Sequence, residues 1–352
     1  MTRGLLWASR TALSSLAALL IFVGYASAGH VEAIRRAHSD QDKGAPKQQQ
    51  VGEAESKAAM KVQSAPDPNA KLQAAADFVK KYPKSTLRSQ VALHVAGEIN
   101  NIQNAGQKVT LLENLLNIFK EPGEADVITP MLIDAYIHSE PPRTEDAVRL
   151  ANSFLARNPN DLATLTQITI LGVQQAKSGN SKGAQQSLQA GQKAIELIEA
   201  GKKPDNMDDA RWKEYQTRWL PQLYTSTGTL ALISGNRDEA RTRIQKAVSL
   251  NSSDPYNFWL LASLVYDEYQ KLAEEHNSLA SGPLKDEVLK KAQAVMDSLI
   301  DNYARVVALS EGQTQYNQLR EQAMTDLQKF WTYRHGGSTD GMQQLIDKYK
   351  KH

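Results

Sequence analysis

Leu223-Tyr224-Thr225-Ser226-Thr227-Gly228-Thr229-Leu230-Ala231-Leu232-Ile233-Ser234-Gly235-Asn236-Arg237-Asp238-Glu239-Ala240 holds the reading on which the fold turns. Up to Ile233 the apolar residues recur at three- and four-residue spacing, the period of a helix that buries one face. Ser234-Gly235-Asn236 ends it, with a glycine where helices commonly stop. Asn236 then stands as the cap of a second helix, Glu239 follows three residues on as in a capping box, and Ala240, Ile244, Ala247 and Leu250 line one face. Gly228 removes the side chain in the middle of the first helix, where two backbones could approach closely. The stretch therefore predicts two helices joined by a short turn, with Pro221 suited to the first turn of the leading helix. The same spacing continues from about residue 70 to the end, interrupted only by short cap-rich breaks, and no segment sustains period-two alternation with hairpin turns. The expected fold class is all-α.

The hairpin from Pro221 to Asp254 resembles a tetratricopeptide repeat. Tyr224 supplies the first bulky group of that pattern, Thr227-Gly228 the large-small pair, and Ala231, Gly235, Ala240, Ile244 and Ala247 follow in step. Ser252 stands where the family has proline, with Pro255 three residues later, and the register begins again with Phe258, Leu261-Ala262 and Val265. A second echo runs from Thr144-Glu145-Asp146-Ala147 through Phe154 to Asn158-Pro159-Asn160-Asp161, and the next helix, Leu162 to Ala176, breaks at Ser178-Gly179-Asn180 and returns through Ala184. A third, Ala74 to Ser85 with Val91-Ala92-Leu93 beyond, is similar to repeats of bacterial cell-envelope tetratricopeptide proteins, outer-membrane assembly lipoproteins and Tol-system periplasmic factors among them. From Ala147 to Ala184 is 37 residues and from Ala184 to Ala240 is 56, against a family period of about 34. The resemblance implies a right-handed α-solenoid of about six tetratricopeptide-like helix pairs over residues 70–352, with some members lengthened or inserted.

Residues 1–28 read as a secretory leader. Arg3 and Arg10 give a positive start, Ala17 to Val23 an apolar middle, and Ala26-Ser27-Ala28 a small-residue cleavage site, so the mature chain would begin after Ala28. The apolar stretch 12–28 is also long enough, at the short limit, to remain as a membrane anchor. A mitochondrial presequence is the third reading, disfavoured by the continuous apolar block. Residues 29–69, with Gln48-Gln49-Gln50 and Ser64-Ala65-Pro66-Asp67-Pro68, hold few large apolar groups and are expected to form a disordered linker that does not join the core.

Composition narrows the chemistry. The 352 residues contain no cysteine, which removes disulfides, thiolate metal sites and cysteine nucleophiles. Beyond the leader the chain carries 39 acidic groups and as many basic ones, a balance that argues against a nucleic-acid partner. No HExxH, GxSxG, P-loop or GxGxxG occurs. Asp134 and His138 share a helix face but lack a third ligand nearby, so they read as a surface pair rather than a metal site. His335-Gly336-Gly337-Ser338-Thr339-Asp340-Gly341 reads as a turn with Ser338 or Thr339 as cap. No cofactor and no metal are expected.

Two groups of residues are candidates for binding. Trp212, Tyr215 and Trp219 fall at i, i+3 and i+7, one aromatic stripe flanked by Arg211 and Arg218. It reads as core packed on the preceding helix around Ile195 to Ile198, or else as a ligand-facing strip, because aromatic and arginine groups dominate binding hot spots. Gln167, Gln174, Thr225 and Asn257 are polar members of first helices and would face the groove of a solenoid. The expected function is that of a non-enzymatic adaptor outside the cytoplasm, periplasmic or secreted, or else anchored by residues 12–28, which binds a protein or peptide. The alternative is a structural component of a cell-envelope assembly or secretion machine, and an enzyme with an unfamiliar helical site stands third.

Overall fold

The computed structural model describes residues 52–205 and 207–350; the leader and residues 29–51 of the expected linker lie outside the described residues. Fourteen α-helices follow one another among them, with no strand: α1 (Glu53–Gln63), α2 (Pro68–Lys81), α3 (Arg88–Asn100), α4 (Ala105–Ile118), α5 (Pro122–Ile137), α6 (Thr144–Arg157), α7 (Leu162–Lys177), α8 (Ala184–Glu199), α9 (Asp209–Ile233), α10 (Arg237–Leu250), α11 (Pro255–Ser278), α12 (Pro283–Leu309), α13 (Asn317–Arg334) and α14 (Met342–Asp347). One 3-10 turn, Thr314–Tyr316, precedes α13. The all-helical expectation holds, and helices pack both on sequence neighbours, as α11 does on α12, and on the next but one, as α3 does on α5. Contacts divide the described chain into two compact units, residues 52–171 with 196–214 and residues 172–195 with 215–350.

In the first unit the structure corrects the linker boundary. Glu53–Gln63, expected to be disordered, is a helix that packs on α2 and α3 and buries Ala59 and Val62. Low apolar content misled because two buried positions suffice when a preformed surface receives them. The ends are also suited to a helix: Glu53 and Glu55 sit at the positive end of the helix dipole and Lys61 at the negative end. The buried Lys71 Nζ donates to the Gln63 carbonyl at 2.6 Å and so satisfies part of the free C-terminus. Beyond α1, Phe78 of α2, Val95 and Ile99 of α3, Leu112 and Leu115 of α4, Ile128 and Ile133 of α5, and Phe154 of α6 form the apolar interior. A buried ion pair joins the starts of α3 and α5. Arg88 grips Glu124 through Nε and Nη2, the latter at 2.9 Å from Oε2, while Nη1 donates to the Pro83 carbonyl at 2.8 Å.

The second unit contains the hairpin of α9 and α10. Asn236 Nδ2 donates to Glu239 Oε2 at 2.7 Å and Asn236 Oδ1 accepts the Glu239 amide, so the expected cap forms. Gly235 has φ +83°, a conformation that favours glycine at the helix end. A Cβ on Gly228 would lie 2.7 Å from Ile244 Cγ1 and 3.4 Å from the Ala240 carbonyl, so the Ile244 side chain of α10 packs directly on the bare α9 backbone where the two helices cross. The preceding hairpin repeats the device. A Cβ on Gly172 in α7 would collide with the side chain of Ser187 in α8, and Gly179, seven residues on, has φ +92°. Ala184 and Leu188 are then buried on α8 at the positions that Ala240 and Ile244 hold on α10. Gly172 was not singled out from sequence, although Leu171-Gly172 is a better large-small pair than Thr227-Gly228.

Pro221 departs from expectation. It lies inside α9, which runs unbroken from Asp209 to Ile233. A proline inside a helix costs about 3 kcal/mol. Here the helix continues because residues on both sides bury: Leu223, Leu230 and Ala231 after it, Trp212 before it. Further on, α11, α12 and α13 share one core of Phe258, Ala262, Leu299, Ile300, Tyr303, Leu327 and Phe330. Trp259, near the start of α11, meets Tyr303, near the end of α12, with ring centroids 5.8 Å apart, which fixes these two helices as antiparallel. Phe330 stacks on Tyr303 at 6.1 Å and takes Tyr266 and Tyr269 edge-on at 6.0 and 5.8 Å.

Two predictions test these packings. Gly228→Leu should destabilise by about 1–3 kcal/mol because Ile244 must be displaced, although leucine alone would favour the helix by up to about 1 kcal/mol. A denaturation curve showing the variant more stable than the parent would dismiss the close crossing. Separately, a chain beginning at residue 66 should melt about 5 °C below one beginning at residue 52, the loss of the Val62 and Ala59 contacts amounting to about 2 kcal/mol. Equal melting temperatures would mean that α1 does not dock.

Candidate functional site

The candidate residues from sequence are distributed over both units and have different surroundings. In the first unit Trp212 is 9% exposed, which agrees with the core reading for that ring. Arg211 is exposed and pairs with Asp208 at 3.6 Å, and Gln167 is half-buried. In the second unit Tyr215 and Trp219 are half-buried with ring centroids 6.1 Å apart. The Arg218 guanidinium, otherwise exposed, lies 5.0 Å from the Trp219 ring centroid, a cation–π contact at the surface. Gln174 is exposed on α7.

Thr225 and Asn257 meet, but not in a groove. Asn257 is 1% exposed, and its Oδ1 accepts the Thr225 hydroxyl at 2.7 Å. The bond joins α9 to α11, first helices of successive pairs. A buried amide left without a partner would cost about 1–3 kcal/mol, so the pair specifies how these helices sit side by side rather than offering a donor to a ligand. Sequence reasoning placed both residues on first helices and then misjudged their facing.

A strongly perturbed amine was not foreseen. Lys177, the last residue of α7, places its Nζ 4.2 Å from the centre of the Tyr256 ring. Burial pulls its pKa down to about 8, against a smaller opposing pull from Asp254. Asp254 caps α11 by accepting the Tyr256 amide at 2.9 Å, and the Tyr316 hydroxyl donates to it at 3.4 Å. Burial in turn raises the Asp254 carboxyl, and it raises the Tyr256 and Tyr316 phenols as well. At the end of a helix a lysine reads as an ordinary dipole partner, and nothing in the local sequence announces a ring 79 residues away. The cluster holds acid, amine and phenols, yet each is engaged with another side chain or with a helix end.

Among the described residues no group of three or more His, Cys, Asp or Glu side chains could hold a metal ion. His138 Nδ1 sits 2.8 Å from the Asp134 carbonyl and 3.4 Å from its carboxylate, the surface pair expected from spacing, and that carboxylate raises the imidazole pKa. The His335–Gly341 segment is a turn, with Gly336, Gly337 and Gly341 all at positive φ. Neither Ser338 nor Thr339 caps α14, whose cap position is Gly341; Ser338 Oγ instead accepts the Asp340 amide at 3.0 Å.

These hairpins are tetratricopeptide-like in spacing: in both, seven residues separate the crossing glycine from the turn glycine, five more lead to a buried alanine, and four more to a buried aliphatic residue. No family model matches the chain. No curated protein matches it either. The crystal structure of a tetratricopeptide repeat protein from Parabacteroides merdae ATCC 43184 aligns with 84% of this chain and 98% of its own at 13% identity, with a TM-score of 0.38. At that distance the alignment carries no argument, and the description as a helical-hairpin repeat protein rests on the hairpins themselves.

Lys177 provides a test of the perturbed cluster. Its lowered pKa means that charging is penalised in the folded state by about 3 kcal/mol at about 1.4 kcal/mol per tenfold, offset by a cation–π gain of about 0.5–2 kcal/mol. Between pH 8 and the ordinary lysine range the unfolded chain holds the extra proton, so stability rises with pH across that window. Lys177→Met should gain about 1–2 kcal/mol at pH 7 and flatten the rise between pH 8 and 9.5. A less stable variant would mean that the cation is a net contributor.

Proposed function

We propose that the chain is a non-enzymatic adaptor that holds a protein or peptide on the surface of its stacked helical hairpins, in a compartment outside the cytoplasm. The observation that carries this reading is the repeated glycine crossing at Gly172 and Gly228. It makes successive helix pairs into similar modules, and a stack of such modules presents a long surface whose exposed side chains are free for recognition. Exposed polar and charged groups such as Gln174 and Arg218 suit that use. The leader-like composition of residues 1–28 supports the extracytoplasmic location.

An obligate component of a larger machine would present a broad apolar face to its neighbours. The exposed large apolar residues among those described, Met60, Leu250, Leu284, Leu289 and Tyr333, are scattered over four helices, which favours the adaptor. The test is cross-linking in the native extract. A photoreactive residue at Gln174 or Arg218 should give a discrete adduct of higher mass, and a Gly228→Leu chain should give less of it. Failure of every exposed position to give a discrete adduct, with chemical turnover by the purified chain, would overturn the reading.

A further inference from the structure

The C-terminal half of α11 and the end of α13 enclose a recess of about 360 Å³, lined by Tyr269, Lys329, Phe330, Thr332, Tyr333 and Gly337. That lies at the lower end of the range for ligand sites. Its aromatic walls differ in exposure. Phe330 is buried and held by Tyr303 behind it and Tyr269 beside it, whereas Tyr333 stands 70% exposed at the rim. Lys329 is exposed, reaches to 5.9 Å of the Phe330 ring, and forms no ion pair with any described residue. The next cation along, Arg334, is already committed to Asp297 at 2.8 Å. The closest acid on the same helix, Asp326, is not part of the lining: it accepts Gln322 Nε2 at 3.1 Å and lies toward Tyr266 and Tyr303, with burial raising its carboxyl and the Lys329 charge opposing that rise from beyond ion-pair distance. A fixed ring, an exposed ring and an ammonium that forms no ion pair thus border an apolar space whose lining holds no anion.

We propose that this recess docks an extended segment of a partner protein in which an aromatic side chain stands next to a carboxylate side chain. The aromatic ring enters between Tyr333 and the Phe330–Tyr269 pair, where offset and edge-on ring contacts are available without rearrangement of the core. The carboxylate pairs with Lys329, and the charge complementarity selects acidic over basic neighbours. Sequence reading passed over this place because Tyr269, Phe330 and Tyr333 are spread over two helices more than sixty residues apart. The inference rests on the capture reading given above and adds to it where the capture occurs and what is recognised.

Fluorescein-labelled Gly-Ser-Trp-Glu-Ser-Gly, a counterpart with alanine for tryptophan, and one with lysine for glutamate, titrated with the full chain and followed by anisotropy, test it. The first peptide should bind at least about tenfold more tightly than either counterpart. Tyr333→Ala should weaken it by about tenfold or more, and Lys329→Glu should reverse the preference toward the lysine peptide; both residues are exposed, and unchanged melting curves would confirm intact folding. Equal affinity for the three peptides, no binding of any, affinities indifferent to both substitutions, or a self-association abolished by Tyr333→Ala would each overturn the proposal. If the cross-linked adduct survives Tyr333→Ala while the peptides fail, the recess is wrong and the capture reading stands. If peptides bind as expected and no adduct forms at Gln174 or Arg218, the recess stands and those two positions lie off the capture surface.

Discussion

The close crossing at a glycine in the α7–α8 and α9–α10 hairpins is the constraint on which this part of the second unit depends. At Gly172 and Gly228 there is no room for a β-carbon, because the Ser187 and Ile244 side chains of the partner helices seat directly against the glycine backbone, so each pair approaches closer by the width of one side chain. That approach brings Ala184 and Leu188, and Ala240 and Ile244, into full burial, and it requires the chain to reverse within a few residues, which Gly179 and Gly235 permit by adopting positive φ. The pair formed by α9 and α10 then offers Ala231, Ala240 and Ile244 to Leu260 and Leu264 of α11, and the next layer is placed in turn. A packing rule local to one hairpin thereby propagates along the unit.

Sequence and structure agree where a short local pattern decides the outcome and part where distant residues do. The helix that ends at Ile233, its turn, the Asn236 cap and the buried face of α10 through Ala247 are legible because every participant lies within about one helical hairpin of the others, whereas Leu250, expected on that face, is exposed at the helix end. Gly172 was equally legible, seven residues before a turn glycine, and was simply passed over. Helix α1 was not legible from composition, since its burial depends on a surface made by α2 and α3. Pro221 obeys a local preference for helix starts that burial on both sides of it overrides. Asn257 looks like a groove residue until Thr225, 32 residues earlier, is placed against it. The candidate site suffered most, because Lys177, Tyr256, Tyr269 and Tyr333 acquire meaning only from partners on other helices.

The polar interior is costly and therefore informative. Glu124 is buried and Arg88 partly shielded from water, and their two-pronged contact offsets what desolvation takes; such a pair gives little net stability but penalises any arrangement that separates α3 from α5. Thr225 and Asn257 act likewise between α9 and α11 with neutral groups. Lys177 is different, because its ammonium has a ring rather than a carboxylate as its nearest partner, and the protein bears the cost of keeping it charged. Apolar packing makes the helices adhere, while these contacts restrict which faces adhere to which.

The glycine crossings also have a consequence in time. Gly172 and Ser187 are 15 residues apart in the chain, and Gly228 and Ile244 are 16 apart. Contacts this local close on the microsecond-to-millisecond scale, whereas a ribosome delivering about 5–20 residues each second needs several seconds to supply a hairpin. Each pair can therefore form as it emerges, long before the next is made. If residues 1–28 direct export, translocation of an unfolded thread competes with a chain that zips up behind its leader, and something must hold those hairpins open until they have crossed.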